Sequence, residues 1–110
     1  MAALDQAKVK VSVGLFAKLG EYENWRMVLA ARAFDGLKIT DAYGLIFESL
    51  TAAGIGVEKT PSILIFPMRD PFIRDIRRRY GKRENVEGLI LGTQSFGGRF
   101  VEDGYVYRIR

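Results

Sequence analysis

The sequence contains no cysteine and no histidine, and each absence excludes a class of chemistry. Without cysteine the chain has no disulfide, thiolate nucleophile, zinc–thiolate site or iron–sulfur cluster. Without histidine it lacks the side chain that titrates near neutral pH, so Ser-His-Asp and Cys-His catalytic arrangements cannot form. No catalytic or cofactor motif is present either. The sequence therefore favours a non-enzymatic protein with no cofactor and no metal, and the enzymatic alternative is a magnesium site built from dispersed carboxylates.

Long apolar runs are also missing. No run approaches the ~18 residues needed to span a bilayer, and "MAALDQAKVKVSV" does not show the basic and apolar regions of a signal peptide. We expect a cytoplasmic protein without a membrane partner. The chain has 110 residues, of which 48% are hydrophobic and 27% are charged. This composition is typical of globular proteins and predicts a single domain over residues 1–110, with about residues 1–6 flexible.

Positive charge is unevenly distributed along the chain, whose formal net charge is +4. Residues 1–55 contain six Lys or Arg and six Asp or Glu, whereas residues 56–110 contain eleven and seven. Most of the excess lies in residues 69–83, where seven basic residues accompany only two acidic ones. The basic character is therefore a local patch, which indicates a surface suited to a polyanion.

The first half of the chain predicts two strands and a helix. "KVKVSVGLFAKL" alternates apolar and polar residues, as a half-buried strand does. "WRMVLAARAF" fits both a strand and a helix, and residues 22–34 stay open between them; we predict a strand, because the first strand needs a hairpin partner. "ITDAYGLIFESLTAAGIG" predicts an apolar helix over residues 41–53, capped by Thr40 or Asp41 and closed by Gly54. Its wide apolar face suggests contacts on two sides.

The second half predicts a buried strand, a basic helix and short strands that include a C-terminal hairpin. The continuous apolar run at residues 62–66 is typical of a central strand buried on both faces. "DPFIRDIRRRYGKR" begins with the helix-capping type Asp70, has Pro71 at the first helical position and ends at Gly81. Residues 89–91 predict a further buried strand. In "GGRFVEDGYVYRIR", the pair Asp103-Gly104 predicts a two-residue turn of a hairpin.

These elements give the order β-β-α-β-α-β-β. We therefore predict an α+β domain with a mixed or antiparallel sheet and two helices packed on one face of it. The predicted core residues are Val11, Val13, Leu15, Trp25, Leu29, Leu45, Ile46, Leu50, Ile63, Leu64, Ile65, Ile76, Leu89, Leu91, Phe100 and Tyr105.

The basic helix is the strongest candidate for a functional site. If its apolar residues face the core, Arg74 and Arg78 point outward, one turn apart and ~6 Å along the axis, which is close to the phosphate spacing of a nucleic-acid strand. Arginine binds planar anions in a bidentate manner. We predict phosphate contacts, to DNA or RNA, from five residues of this segment. They are Arg74, Arg77, Arg78, Lys82 and Arg83.

Two alternatives to nucleic-acid binding stay open. The cations could bind an acidic protein partner, or they could simply solvate an exposed helix face, with Asp75 neutralising Arg78 or Arg79. A different class of function is assembly, in which the apolar helix at residues 41–53 makes the protein a homo-oligomer.

The C-terminal region offers two weaker candidates. Gly97-Gly98 could form a backbone nest for phosphate, but a turn that leads into the last strands is the simpler interpretation. Four aromatic residues lie near three arginines and could stack on bases, although alternation along the strands favours a place in the core. The aromatic residues are Phe96, Phe100, Tyr105 and Tyr107.

Overall fold

A mixed six-stranded sheet organises the described part of the chain. The computed structural model describes residues 4–5, 7, 9–56, 62–82 and 86–110. In chain order its elements are β1 (Val13–Leu19), β2 (Arg26–Ala30), α1 (Arg32–Asp35), α2 (Ile39–Ala52), β3 (Ile63–Ile65), α3 (Pro71–Tyr80), β4 (Ile90–Leu91), β5 (Gln94–Phe96) and β6 (Arg99–Ile109). The predicted α+β class is confirmed, and the ambiguous segment forms strand β2 followed by the short helix α1. No helix of the described ranges has the length and apolarity that a bilayer crossing requires.

The strand order is β3-β2-β1-β6-β4, and β5 also pairs with β6. β2 and β3 are parallel, and the other pairs are antiparallel. β6 is the longest strand because it pairs with β1 along one edge and with β4 and β5 along the other. The sheet is therefore organised around a central β1–β6 pair.

The two long helices pack on opposite faces of the sheet, and not on one face as predicted. Val28 and Ala30 of β2 belong to the cluster that contains Ile73 and Ile76 of α3. Leu29, which lies between them, belongs to the cluster that contains Ile46 of α2. Because side chains alternate between the faces of a strand, these two clusters lie on either side of the sheet.

Helix α2 begins earlier than the sequence predicts and ends as predicted. Its N-cap is Lys38, without a side-chain hydrogen bond, so the predicted caps Thr40 and Asp41 lie inside the first turn. At the other end Gly54 has a φ of 79°. The N–H of Ile55 donates to the carbonyl of Leu50 at 2.9 Å, and the N–H of Gly54 donates to that of Thr51 at 3.0 Å. These two bonds form a Schellman motif, which explains the glycine.

The predicted turn at Asp103-Gly104 is wrong, because β6 runs through both residues without interruption. The hairpin turn lies at Gly97-Gly98, between β5 and β6, where Phe96 pairs with Arg99. Both glycines have positive φ, 54° and 83°, which is the backbone conformation that a two-residue hairpin turn requires. The turn interpretation of Gly97-Gly98 is therefore confirmed.

The strand at residues 62–66 was predicted to be central, and this is also wrong. β3 lies at an edge of the sheet, and its three residues are all half-buried. Trp25 and Phe100, two predicted core residues, are 38% and 44% exposed. Of the remaining predicted core, seven residues are buried, namely Val11, Val13, Leu15, Leu29, Ile46, Ile76 and Leu91, and seven are half-buried, namely Leu45, Leu50, Ile63, Leu64, Ile65, Leu89 and Tyr105.

The segment predicted to be flexible is only partly described. Leu4 is buried in the α2-side cluster. Asp5 accepts two hydrogen bonds from the guanidinium of Arg108, both of 2.8 Å. Residues 1–3 and 6 of that segment lie outside the described residues.

Candidate nucleic-acid interface

Helix α3 is defined by its two ends. The Asp70 carboxylate accepts a hydrogen bond of 2.9 Å from the backbone N–H of Phe72, and Pro71 occupies the first helical position. At the other end the N–H of Gly81 donates to the carbonyl of Arg77 at 2.7 Å. A Cβ at Gly81 would lie 2.5 Å from that same carbonyl oxygen, so the close approach requires glycine. The predicted caps of this helix are confirmed.

The apolar side of α3 is anchored on the sheet. Phe72, Ile73 and Ile76 are at most 1% exposed, and they pack on the inner residues of β1 and β6. Because this side faces the sheet, the residues on the opposite side of the helix point toward solvent. Arg74 and Arg78 are both exposed, and they lie one turn apart at about 6 Å along the axis. The predicted outward pair is therefore present.

Asp75 is a carboxylate within the same helix that contacts two of these basic residues. Its carboxylate is largely buried, accepts a hydrogen bond of 2.9 Å from the N–H of Gly97 and forms ion pairs with Arg78 and Arg79. The Gly97 hydrogen bond, together with the two guanidinium groups, holds the pKa of Asp75 below its usual range. Asp75 is therefore a permanent anion near neutral pH. It partly offsets two arginines, where the sequence predicted one.

The five predicted contact residues differ in their availability. The guanidinium of Arg74 and the ammonium of Lys82 are exposed and have no hydrogen bond or ion pair within the described residues. Arg78 pairs with Asp75, yet its side chain is 76% exposed. Arg77 turns away, and its Nε donates to the carbonyl of Arg110 at 2.7 Å. Arg83 lies outside the described residues. The structure thus brings Arg74 and Arg78 together and directs Arg77 elsewhere.

Two adjacent grooves lie beside the N-terminal half of α3. The first, about 380 Å³, is lined by Pro71, Arg74, Asp75, Arg78 and Gly97. The second, about 460 Å³, is lined by the β5–β6 turn, the N-terminus of α3 and the start of the segment that follows β1. Pro71 and Gly97 line both grooves. The two outward arginines therefore line one of two neighbouring grooves that meet at Pro71 and Gly97.

An aromatic cluster with two arginines over its rings lies between α3 and the sheet. Phe72 lies 5.3 Å from Phe66 and 6.2 Å from Phe96 between ring centroids. The guanidinium of Arg99 lies 4.8 Å from the centre of the Phe66 ring, and that of Arg79 lies 4.9 Å from the centre of the Phe96 ring. Cations in these positions are attracted by the ring faces. Arg79 and Arg99 are therefore held against the protein, which reduces their freedom to reach a ligand.

Sequence reasoning missed the second groove, and it favoured a core position for Phe100, which is 44% exposed. The signal was available in the register of the Gly97-Gly98 turn. A two-residue turn at this position places Phe96 opposite Arg99 and Ser95 opposite Phe100. Since Phe96 and Val101 point into the core, alternation directs Phe100 outward with Ser95.

The remaining candidates of the sequence do not join this site. Tyr105 and Tyr107 are half-buried on the other face of the sheet, with ring centroids 4.9 Å apart. The N–H of Gly97 is bonded to Asp75, so the predicted phosphate nest lacks one of its donors. Over the described ranges, no three acidic side chains come close enough together to hold a metal ion.

Comparisons with known proteins find no match to this chain: no protein-family model, no curated protein and no solved structure is similar to it.

Proposed function

We propose that this protein is a non-enzymatic module that binds nucleic acid through the cationic face of α3. The observation that carries the proposal is Arg74. It stands exposed in a groove, without an internal partner in the described residues, next to the largely exposed guanidinium of Arg78. Guanidinium groups that are unpaired and fixed on a rigid helix suit phosphate oxygens.

The surroundings of the arginines support the same reading. Lys82, just past the end of α3, is a second exposed cation without a described partner. Eight residues separate it from Arg74, or about 12 Å along a helix axis, so the two cations can reach different phosphates of one strand. Within the described part of the chain, the acid that pairs with arginines of this face, Asp75, is largely buried and already bonded to Gly97. Exposed charge on this face is therefore predominantly positive, and contacts to phosphates carry affinity but no sequence readout.

The test is fluorescence anisotropy with labelled DNA and RNA oligonucleotides at two or more salt concentrations. We expect wild-type binding to weaken steeply with salt, because each neutralised phosphate releases bound counterions. The double variant Arg74→Glu/Lys82→Glu removes no described internal contact. It should weaken binding about tenfold or more, and it should lower the salt slope by about 1.4 for a single strand.

A matched control makes this result specific to α3. The double variant Arg32→Glu/Lys38→Glu changes net charge by the same amount at two exposed cations on α1 and at the start of α2. It should bind as the wild type does, apart from a small long-range effect that salt screens. Equal losses in the two double variants would show that only net charge matters. Absence of wild-type binding at low salt would refute the proposed function.

A second candidate function is self-association through α2. Only Ala42, Ile46 and Ser49 of this helix are buried, whereas Leu37 and Ile39 at its start are 41% and 57% exposed. Apolar side chains that remain exposed on one surface are a feature of interfaces. Sedimentation velocity of the anisotropy samples separates the two candidates, because a dimer that forms without nucleic acid and persists in Arg74→Glu/Lys82→Glu favours assembly.

A further inference from the structure

Phe100 is a partly exposed aromatic residue of the hairpin whose turn lies against α3. It lies near the start of β6, is 44% exposed and lines the second groove beside α3. Its neighbour across the hairpin is the exposed Ser95. A large apolar ring opposite a small polar residue leaves part of its surface accessible to a ligand that could cover it.

The ring rests on Gly20, which keeps one side of it in contact with the protein. The N–H of Gly20 donates to the carbonyl of Phe100 at 2.9 Å. A Cβ at Gly20 would lie 2.9 Å from Cδ1 of the ring, closer than real Cβ contacts come. The glycine therefore lets the ring lie against the backbone.

The path from this ring to the outward arginines carries no obstructing side chain at the turn. Gly97 and Gly98 line the groove of Phe100, and Gly97 also lines that of Arg74 and Arg78. A Cβ at Gly98 would meet nothing within 4 Å, so the space above the turn is open. Within the Phe100 groove Arg99 pairs with Glu21, whereas the other groove presents the exposed arginines. The groove of Arg74 and Arg78 is therefore cationic, whereas the groove of Phe100 combines the aromatic residue with one ion pair and the capping carboxylate of Asp70.

We infer that the ligand is a single-stranded nucleic acid, with its phosphates on Arg74 and Arg78 and one base stacked on Phe100. This inference rests on the proposed function and specifies its ligand. An unpaired base can leave its neighbours and lie on an aromatic ring, whereas the bases of a duplex are stacked on one another. Stacking is tolerant of sequence because every base has an aromatic face. Arg74 and Arg78 supply the charge complementarity, and Phe100 supplies the preference for single strands.

The experiment compares wild type, Phe100→Leu and Phe100→Tyr by anisotropy with labelled oligo-dT, oligo-rU and a DNA duplex. Leucine keeps an apolar side chain without a ring, and tyrosine keeps the ring. We expect Phe100→Leu to lose about 5- to 100-fold in affinity for the single strands, by the usual contribution of one stacked base. Phe100→Tyr should bind as the wild type does. The dT and rU arms distinguish DNA from RNA.

Controls separate this inference from the proposed function. Binding of labelled polyphosphate, which has charge but no bases, should be unaffected by Phe100→Leu and reduced by Arg74→Glu/Lys82→Glu. Circular dichroism should show both Phe100 variants folded, because the residue is exposed. Single-strand affinity within twofold of wild type in Phe100→Leu, or tighter wild-type binding to duplex than to single strands, would overturn stacking and leave the charge-based function standing. If no nucleic acid binds the wild type, both fail together.

Discussion

Replacing Gly97 with alanine should destabilise the fold far more than the same change at the neighbouring Gly98. Both residues have positive φ, 54° and 83°, and alanine in this region costs about 1–2 kcal/mol. At Gly98 that cost stands alone, because a Cβ there meets nothing within 4 Å. At Gly97 the Cβ would lie 2.5 Å from the backbone nitrogen of Phe72 and closer still to the carbonyl of Pro71.

Those neighbours are backbone atoms of the first turn of α3, so they cannot swing away as a flexible side chain would. Forcing a methyl group into a packed site costs a further ~1–3 kcal/mol, which brings the expected loss for Gly97→Ala to about 2–5 kcal/mol. The variant should also lengthen the hydrogen bond from Gly97 to Asp75. Urea denaturation followed by circular dichroism measures the free energy of unfolding of both variants. Equal losses at Gly97 and Gly98 would refute the close approach of the turn to α3.

Two further predictions concern Asp75 and the core. Because Asp75 has a lowered pKa in the folded state, its contribution to stability should be present above the unfolded pKa of about 3.9 and be lost as pH falls through the folded value. The gap in unfolding free energy between wild type and Asp75→Asn should therefore be larger at pH 7 than at pH 2, and a gap that does not change with pH would contradict this role. Leu15→Ala, at a fully buried site of the central strand, should cost about 2–5 kcal/mol in the same assay. Ile65→Ala, in the half-buried edge strand β3, should cost clearly less, and equal costs would show that β3 is buried more deeply than described.

The sequence predicted the elements well where local chemistry determines them. The caps of α3 follow from Asp70, Pro71 and Gly81, each of which has a specific role at a helix end. The closing glycine of α2 was predictable in the same way. The outward position of Arg74 and Arg78 followed from helical periodicity alone, since an anchored apolar face fixes the opposite one.

The errors have a common origin in tertiary arrangement. The apolar run at residues 62–66 resembles a central strand, but it forms the edge strand β3. The run is apolar because β3 is covered by α2 on one face and packs on the α3-side cluster on the other. Asp103-Gly104 resembles a hairpin turn, but Gly104 lies in β6 where a Cβ would be 3.4 Å from Leu91 and 3.5 Å from Ala17. Gly104 therefore allows close packing against the neighbouring strands and does not form a turn. Which partner a segment meets is set by pairings distant in sequence, and periodicity does not encode them.

The candidate site was predictable in its charges but not in its shape. The basic run identified α3, whereas the two grooves depend on the Gly97-Gly98 turn meeting the helix through Asp75. The periodicity that singled out Arg74 and Arg78 could not show that Arg77 donates to the carbonyl of Arg110, because only the fold brings that residue to the helix.

The position of β6 in the chain has a consequence for how the protein folds during its synthesis. β6 is made after every other described element, yet it pairs with β1, β4 and β5; Val13, for example, pairs with Ile109. Until β6 emerges, the nascent β1–β2 hairpin keeps one open edge and an uncovered apolar side, both of which invite association with other chains. Pairings this remote in sequence also close slowly. The native sheet can therefore close only after β6 has been synthesised.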